Sequence, residues 1–126
     1  MASRRLLRYG LAMTTILSTS PTDIARAAAM LRQGRLVAFP TETVYGLGAD
    51  ATGAGAVAAI YAAKGRPSFN PLIAHVPDLC AALREGQFNE AARRLAAAFW
   101  PGPLTLVVPV RSDGSVCDLA RAGLSS

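Results

Sequence analysis

LVAFPTETVYGLGAD, residues 36–50, passes from an apolar run into a segment of hydroxyl side chains and glycines. Leu36–Phe39 is typical of a buried strand, and Pro40 should end it because proline cannot donate to a strand ladder. If Thr41 and Thr43 remain extended, their side chains point to one side and suit a small polar ligand. The alternative is a threonine-rich strand end with a glycine turn, since the segment lacks the Gly-Lys-Ser/Thr ending of a phosphate loop.

Predicted helices and strands alternate on both sides of this stretch. Ser20 offers a capping oxygen to a short amphipathic helix that ends at Gly34. A second helix, Ala56–Ala63, should end at Gly65, because Arg66 precedes a proline and favours extended geometry. The other predicted elements are strands at Leu72–Val76 and Leu104–Val110, helices at Pro77–Leu83 and from Asn89 to Trp100, and a turn at Arg111–Gly114. Strands separated by helices indicate an α/β or α+β sheet domain.

The length and composition of the chain fit one globular domain with a short extension. The chain has 126 residues, of which 52% are apolar, and can therefore bury a core. Residues 1–19 are basic, contain serine and lack acids, as targeting segments do. The alternative that we favour is translation from Met13. We predict an N-terminal extension, disordered or targeting, at residues 1–19 and a domain at residues 20–126.

A second polar cluster, KGRPSFNPLIAH, occupies residues 64–75. The glycine and the proline on either side of Arg66 favour an extended turn, in which the side chains of Lys64 and Arg66 align. Both cations could then face one phosphate chain, since arginine supplies a planar fork and lysine a compact charge. The alternative for Lys64 is a cation that complements a helix C-terminus. Asn70 offers an amide, and His75 points either to the core or to the site.

FWPGPLT, residues 99–105, predicts a helix-to-strand corner with two prolines. Trp100 could stack on a base, but an aromatic side chain before such a corner usually packs on the core. We therefore expect packing at Trp100.

Charge and cysteine content indicate little about partners. The net charge is +5, and the arginines are scattered, so no basic patch can be drawn. Cys80 and Cys117 stand far apart without the spacing of metal ligands, and we expect no protein-bound metal.

Three motifs together resemble the YrdC-like threonylcarbamoyl-AMP synthase family in order and spacing. They are PTETVYGLGADA at 40–51, KGRP with NPL and His75 at 64–75, and FWPGPLT at 99–105. The resemblance covers residues 20–126. It implies an α/β (α+β) fold, in which a YrdC-like twisted mixed sheet with flanking helices surrounds a basic cavity.

The resemblance also implies a reaction and the residues for it. It implies an L-threonylcarbamoyladenylate synthase, a nucleotidyltransferase that forms threonylcarbamoyl-AMP and pyrophosphate from ATP, L-threonine and bicarbonate. The product would serve threonylcarbamoyl-adenosine modification of tRNA through a separate transfer machinery. Thr43 and His75 would contact L-threonine, and Mg²⁺ would accompany ATP. The implied ATP contacts are Lys64, Arg66 and Asn70, of which Lys64 and Arg66 would be catalytic through charge stabilisation.

The C-terminus departs from the family pattern. Members continue beyond Gly123–Ser126 into a strand with an Arg-x-Pro segment and then a Ser-x-Asn segment. We therefore expect a C-terminally truncated domain that binds ATP weakly, has poor activity and tends to aggregate through an exposed sheet edge.

Two other functions fit the sequence less well. One is a non-catalytic module that binds tRNA or double-stranded RNA, or an inactive fragment. The other is the YrdC-like domain of a carbamoyltransferase, although those proteins are much longer. We expect a cytoplasmic protein, because the two cysteines give no sign of an oxidising compartment. We expect no membrane partner, because the N-terminal apolar run is too short to span a bilayer.

Overall fold

The computed structural model describes residues 14–65, 67 and 70–124. Its elements, in chain order, are helix α1 (Pro21–Arg32), strands β1 (Val37–Pro40) and β2 (Tyr45–Gly48), and helices α2 (Ala54–Lys64), α3 (Leu79–Glu85) and α4 (Glu90–Phe99). The predicted α/β (α+β) class is confirmed. Within the described ranges the sheet has two strands, β1 and β2, which pair antiparallel. No helix in these ranges combines the length and the apolar character needed to cross a membrane.

The β1–β2 hairpin packs an aromatic ring against a glycine. Val37 pairs with Gly48 and Phe39 pairs with Gly46, so Phe39 and Gly48 are diagonal neighbours across the strands. A Cβ atom at Gly48 would lie 2.5 Å from the nearest atom of the Phe39 ring. Carbon atoms normally approach to about 3.5–4.0 Å, so a larger residue here would displace the ring.

Three helix ends follow the predicted local signals. The Ser20 side chain accepts the Asp23 N–H at 3.2 Å and caps α1, while the Asn89 side chain accepts the Ala92 N–H at 2.9 Å and caps α4. Gly65 ends α2 in the left-handed conformation, with a φ of 58°. Glycine adopts this conformation without the steric cost of a Cβ atom. These three predictions are confirmed.

The third helix does not have the predicted bounds. The prediction that Pro77 opens it and that it runs through Leu83 is wrong. The Asp78 carboxylate accepts the Ala81 N–H at 2.7 Å and caps α3, which then continues to Glu85. An aspartate at a helix N-terminus satisfies one of the unpaired amides, so the carboxylate sets the start.

Two predicted strands are not formed. Leu72 donates its N–H to the carbonyl of Ala120 at 2.8 Å, but residues 72–76 form no ladder. Residues 104–110 end in an isolated bridge between Val110 and Gly86. Both strand predictions are therefore wrong for the described structure. An apolar run becomes a strand only where a neighbour supplies a row of hydrogen-bonding partners.

The core forms where α2 packs against a segment near the C-terminus of the described residues. Val57, which is 1% exposed, forms a cluster with Tyr61 and Ala120. Partly buried apolar side chains that pack against the cluster are Leu72, Val116, Cys117 and Leu119. The segment 116–120 therefore packs against the helix whose last residue is Lys64.

Candidate functional site

The hydroxyl segment after β1 forms a tight turn. The Thr41 N–H donates to the Val44 carbonyl at 3.1 Å, and the Val44 N–H donates to Thr41 Oγ1 at 3.3 Å. The condition that Thr41 and Thr43 remain extended is not met, because these bonds fold the chain back into β2. The two hydroxyl oxygens nevertheless lie 3.4 Å apart. Thr43 is exposed and therefore accessible to a ligand.

His75 lies beside the same hairpin. Its ring meets the Phe39 ring edge to face, with centroids 6.4 Å apart and planes at 86°. The sequence left two orientations open for the His75 side chain, toward the core or toward the site. His75 is exposed, so its side chain points away from the core. His75 therefore lies against strand β1 of the hairpin whose turn carries Thr43.

Lys64 is the last residue of α2 and is exposed. Among the described residues the salt bridges are Arg111–Asp113 and Arg121–Asp118, so no described carboxylate neutralises the Lys64 ammonium. A cation at a helix C-terminus also complements the negative end of the helix dipole. The geometry therefore suits either reading of Lys64. Arg66, the other predicted catalytic cation, lies outside the described residues.

Asn70 is tied back to the helix that carries Lys64. Its carbonyl accepts the Tyr61 hydroxyl at 2.8 Å, and its N–H donates to the Pro67 carbonyl at 3.3 Å. Asn70 is half-buried. Tyr61 and Lys64 lie one turn apart on α2, so the structure associates two of the predicted ATP contacts with a single helix end.

Asp50 stabilises the loop that follows β2. Its Oδ1 accepts the N–H of Thr52 at 2.9 Å and the hydroxyl of Thr52 at 2.7 Å. The hydroxyl bond is the main cause that lowers the pKa of Asp50, and the backbone bond contributes in the same direction. In the described part of the chain, no three His, Cys, Asp or Glu side chains cluster as metal ligands.

The sequence reasoning missed the role of Glu85. This carboxylate accepts the Ser115 hydroxyl at 2.7 Å and the N–H groups of Ser115 and Val116 at 2.7 and 3.0 Å. The hydroxyl bond is the largest cause that lowers the pKa of Glu85. The two partners are separated by 30 residues, and neither lies in a recognisable motif. No signal in the sequence therefore identified this contact.

A groove of about 520 Å³ lies between α3, α4 and the segment before the Arg111 turn. Its lining residues are Leu83, Gly86, Gln87, Phe88, Asn89, Arg93, Pro109 and Arg111. Two arginines make it basic, but the Arg111 guanidinium forms a bidentate pair with Asp113 at 2.8 and 2.9 Å. The predicted site residues are not among those lining this groove.

Trp100 has an architectural role. Its indole N–H donates to the Leu104 carbonyl at 2.8 Å, and its ring meets Phe88 edge to face at 6.2 Å between centroids. These contacts close the corner after α4. The prediction that Trp100 packs is confirmed, but the residue is half-buried and packs against Phe88 instead of the buried cluster of Val57, Tyr61 and Ala120.

The chain is similar to proteins named threonylcarbamoyl-AMP synthase. It is 52% identical to the Bacillus subtilis protein over 121 residues, which cover 94% of this chain and 34% of that protein. It is 55% identical to the Pyrococcus abyssi protein over 84 residues, which cover 66% of this chain and 25% of that protein. The chain thus spans about a third, or less, of the length of these curated relatives.

The chain is also similar to solved structures of Sua5. Pyrococcus abyssi Sua5 in complex with L-threonine matches with a TM-score of 0.77 and 48% sequence identity, over 82% of this chain and 30% of that chain. A variant of Pyrococcus abyssi Sua5 matches over the same share of this chain with a TM-score of 0.78. The arrangement of helices and hairpin described above is therefore also found in these solved proteins.

A family model also matches the chain. The Sua5/YciO/YrdC family, described as "Telomere recombination", matches residues 29–126. The match begins in α1 and includes the hairpin, the other three helices and the C-terminal segment. It covers far more than half of the chain. The chain belongs to the Sua5/YciO/YrdC family.

Proposed function

We propose that this chain carries part of the active site of an L-threonylcarbamoyladenylate synthase. The observation that carries the proposal is the 52% identity to Bacillus subtilis threonylcarbamoyl-AMP synthase over 94% of the chain. The Pyrococcus abyssi neighbour solved with L-threonine supports threonine as a substrate. The product would enter threonylcarbamoyl-adenosine modification of tRNA through a separate transfer machinery.

The threonine side of the proposed site is the β1–β2 hairpin with His75. The Thr43 hydroxyl is exposed beside that of Thr41, and each hydroxyl both donates and accepts hydrogen bonds. The imidazole of His75 stands against Phe39 and is accessible. These groups suit the carboxylate, ammonium and hydroxyl of an amino acid, which need several short polar contacts.

The ATP side of the proposed site is the end of α2. The ammonium of Lys64 would stabilise negative charge as the α-phosphate is attacked, and the Asn70 amide would contact the nucleotide. Arg66 is proposed as the second cation on its position in the motif alone. Mg²⁺ would arrive on the ATP phosphates as part of the substrate, because this ion is commonly held by phosphates with few protein ligands.

The proposed reaction has two steps. The amine of L-threonine combines with bicarbonate to give a carbamate and water. A carbamate oxygen then attacks the α-phosphorus of ATP, the bond to the bridging oxygen breaks, and pyrophosphate leaves. The protein contributes positioning and charge stabilisation, and no covalent intermediate with the chain is required.

Formation of threonylcarbamoyl-AMP from ATP, bicarbonate and labelled L-threonine tests the proposal. We expect the chain to form product more slowly than the Bacillus subtilis enzyme under the same conditions. The variant Lys64→Ala should lower the rate by about 100-fold, the usual effect of removing one charge-stabilising group.

Arg32→Ala is the matched control, because Arg32 is the basic residue in the last turn of α1, as Lys64 is in α2. If Lys64 only complements a helix dipole, both variants will lose the same small amount of stability and neither will lose activity selectively. Equal rates in the two variants would overturn the proposed role of Lys64. A folded chain that forms no product would overturn activity for this chain.

A further inference from the structure

Tyr61 is a buried residue with a polar bond that the proposed chemistry does not use. It is 6% exposed and packs with Val57 and Ala120 in the core cluster. Its hydroxyl donates to the Asn70 carbonyl at 2.8 Å, and the Leu119 carbonyl lies at 3.4 Å from the same oxygen. A buried tyrosine hydroxyl needs a hydrogen-bond partner, and here that partner is the backbone carbonyl of the residue proposed to contact the nucleotide.

The surroundings of Asn70 show how much depends on this bond. Pro71 follows Asn70 and has no N–H to donate, so the next backbone anchor is the bond from Leu72 to the Ala120 carbonyl at 2.8 Å. Before Asn70, its own N–H closes a turn onto Pro67. The Tyr61 hydroxyl is therefore the link that joins Asn70 directly to α2.

We propose that Tyr61 is a positioning residue for the nucleotide side of the site, and that its hydroxyl fixes Asn70 relative to Lys64. The part of this proposal that concerns ATP rests on the proposed function. Tyr61 and Lys64 are three residues apart on α2, so one helix end carries both the ammonium and the hydroxyl that bonds to the Asn70 carbonyl. Loss of the hydroxyl leaves Lys64 in place and removes the bond that joins Asn70 to α2.

The test is Tyr61→Phe, which keeps the ring in the core and removes only the hydroxyl. We expect the Kd for MgATP, measured by calorimetric titration of the chain, to rise about 5–10-fold, the effect of losing one hydrogen bond. The Kd for L-threonine should change less than about twofold, because Thr43 and His75 belong to the hairpin side of the site.

Val57→Ala is the matched control. It damages the same cluster by removing two methyl groups from a residue 1% exposed, but it breaks no bond to Asn70. It should lower the melting temperature at least as much as Tyr61→Phe and leave the ratio of the two Kd values unchanged. Equal changes in this ratio for both variants would show that Tyr61 acts through stability alone, and would overturn the proposal.

Amide hydrogen exchange separates this proposal from the proposed function. In Tyr61→Phe the amides of Asn70 and Leu72 should exchange about 5–10-fold faster, while the Ala82 amide, which bonds to Asp78 in α3, should not change. Unchanged exchange at Asn70 would overturn the positioning role, whatever the chain binds. Failure of the unmodified chain to bind MgATP would instead overturn the nucleotide assignment, and the exchange rates would still decide whether Tyr61 holds the loop.

Discussion

At the scale of single residues, the hairpin depends on the absence of a side chain at residue 48. The ring of Phe39 fills that space and also carries the edge-to-face contact with His75. A methyl group at Gly48 must therefore displace a ring that the proposed threonine site uses. The polar groups of the proposed threonine site therefore depend on the apolar contact between Phe39 and Gly48.

Gly48→Ala should lower the free energy of unfolding by about 1–3 kcal/mol, the usual cost of overpacking. Gly55→Ala is the control, because a Cβ atom at Gly55 meets nothing within 4 Å and the residue lies in α2. That change should raise stability by about 0.5–1 kcal/mol, since alanine favours a helix. Denaturant unfolding measures both values, and a neutral Gly48→Ala would show that the ring moves without cost.

At the scale of elements, Glu85 joins the end of α3 to the segment after the Arg111 turn. Three hydrogen bonds to one carboxylate hold residues 115–116, and the Cys117 N–H then donates to the Ala51 carbonyl at 2.9 Å. Hydrogen bonds therefore join α3 to residues 115–116, and Cys117 joins the same segment to the loop after β2. This connection presents segment 116–120 to α2.

The Glu85 contact should make stability depend on pH. The native pKa of Glu85 is lowered from 4.5, mainly by the Ser115 hydroxyl, so the unfolded chain binds this proton more readily. The stabilisation is present above pH 4.5 and is lost as the pH falls through the lower native pKa. Glu85→Gln should reduce the free energy of unfolding at pH 7 by about 1–2 kcal/mol.

Chemical denaturation at a series of pH values measures this effect. The difference between the native chain and Glu85→Gln should shrink below pH 4.5, because the protonated carboxyl no longer accepts all three bonds. A difference that is constant from pH 3 to pH 7 would contradict the assignment.

At the scale of the whole molecule, exposed apolar residues lie in described segments that form no strand. Val107 is 83% exposed and Ile73 is 62% exposed, and each lies in a segment that the sequence predicts as a strand. Within the part of the chain that the structure describes, residues 105–108 make no hydrogen bond between backbone groups. Unpaired backbone beside apolar side chains is a template for association.

We therefore expect the chain to self-associate as its concentration rises. Val107→Lys should reduce this association by at least about tenfold, because a charge on an unpaired segment opposes pairing with another chain. Ile24→Lys is the control: Ile24 is 58% exposed, but α1 satisfies its own backbone groups. Sedimentation velocity over a range of concentrations measures the effect, and equal behaviour of the two variants would exclude association through segment 105–108.

Only part of the candidate site follows from the sequence. The residues of the three motifs were identified from their types and spacing, but their roles stay predictions, and Arg66 lies outside the described residues. The division at residue 20 also stays a prediction. The contact of Phe39 with His75 and that of Tyr61 with Asn70 emerged from the structure.

The sequence by itself determined the family motifs, the class of fold, the starts of α1 and α4 and the end of α2. Caps and glycine stops act over three or four residues, so neighbours in the chain are sufficient to specify them. Only the tertiary structure decided that Thr41 and Thr43 lie in a turn, that residues 72–76 and 104–110 form no strands, and that Glu85 holds residues 115–116. Strand ladders and long-range hydrogen bonds require a partner from a distant segment, and an apolar run does not identify that partner.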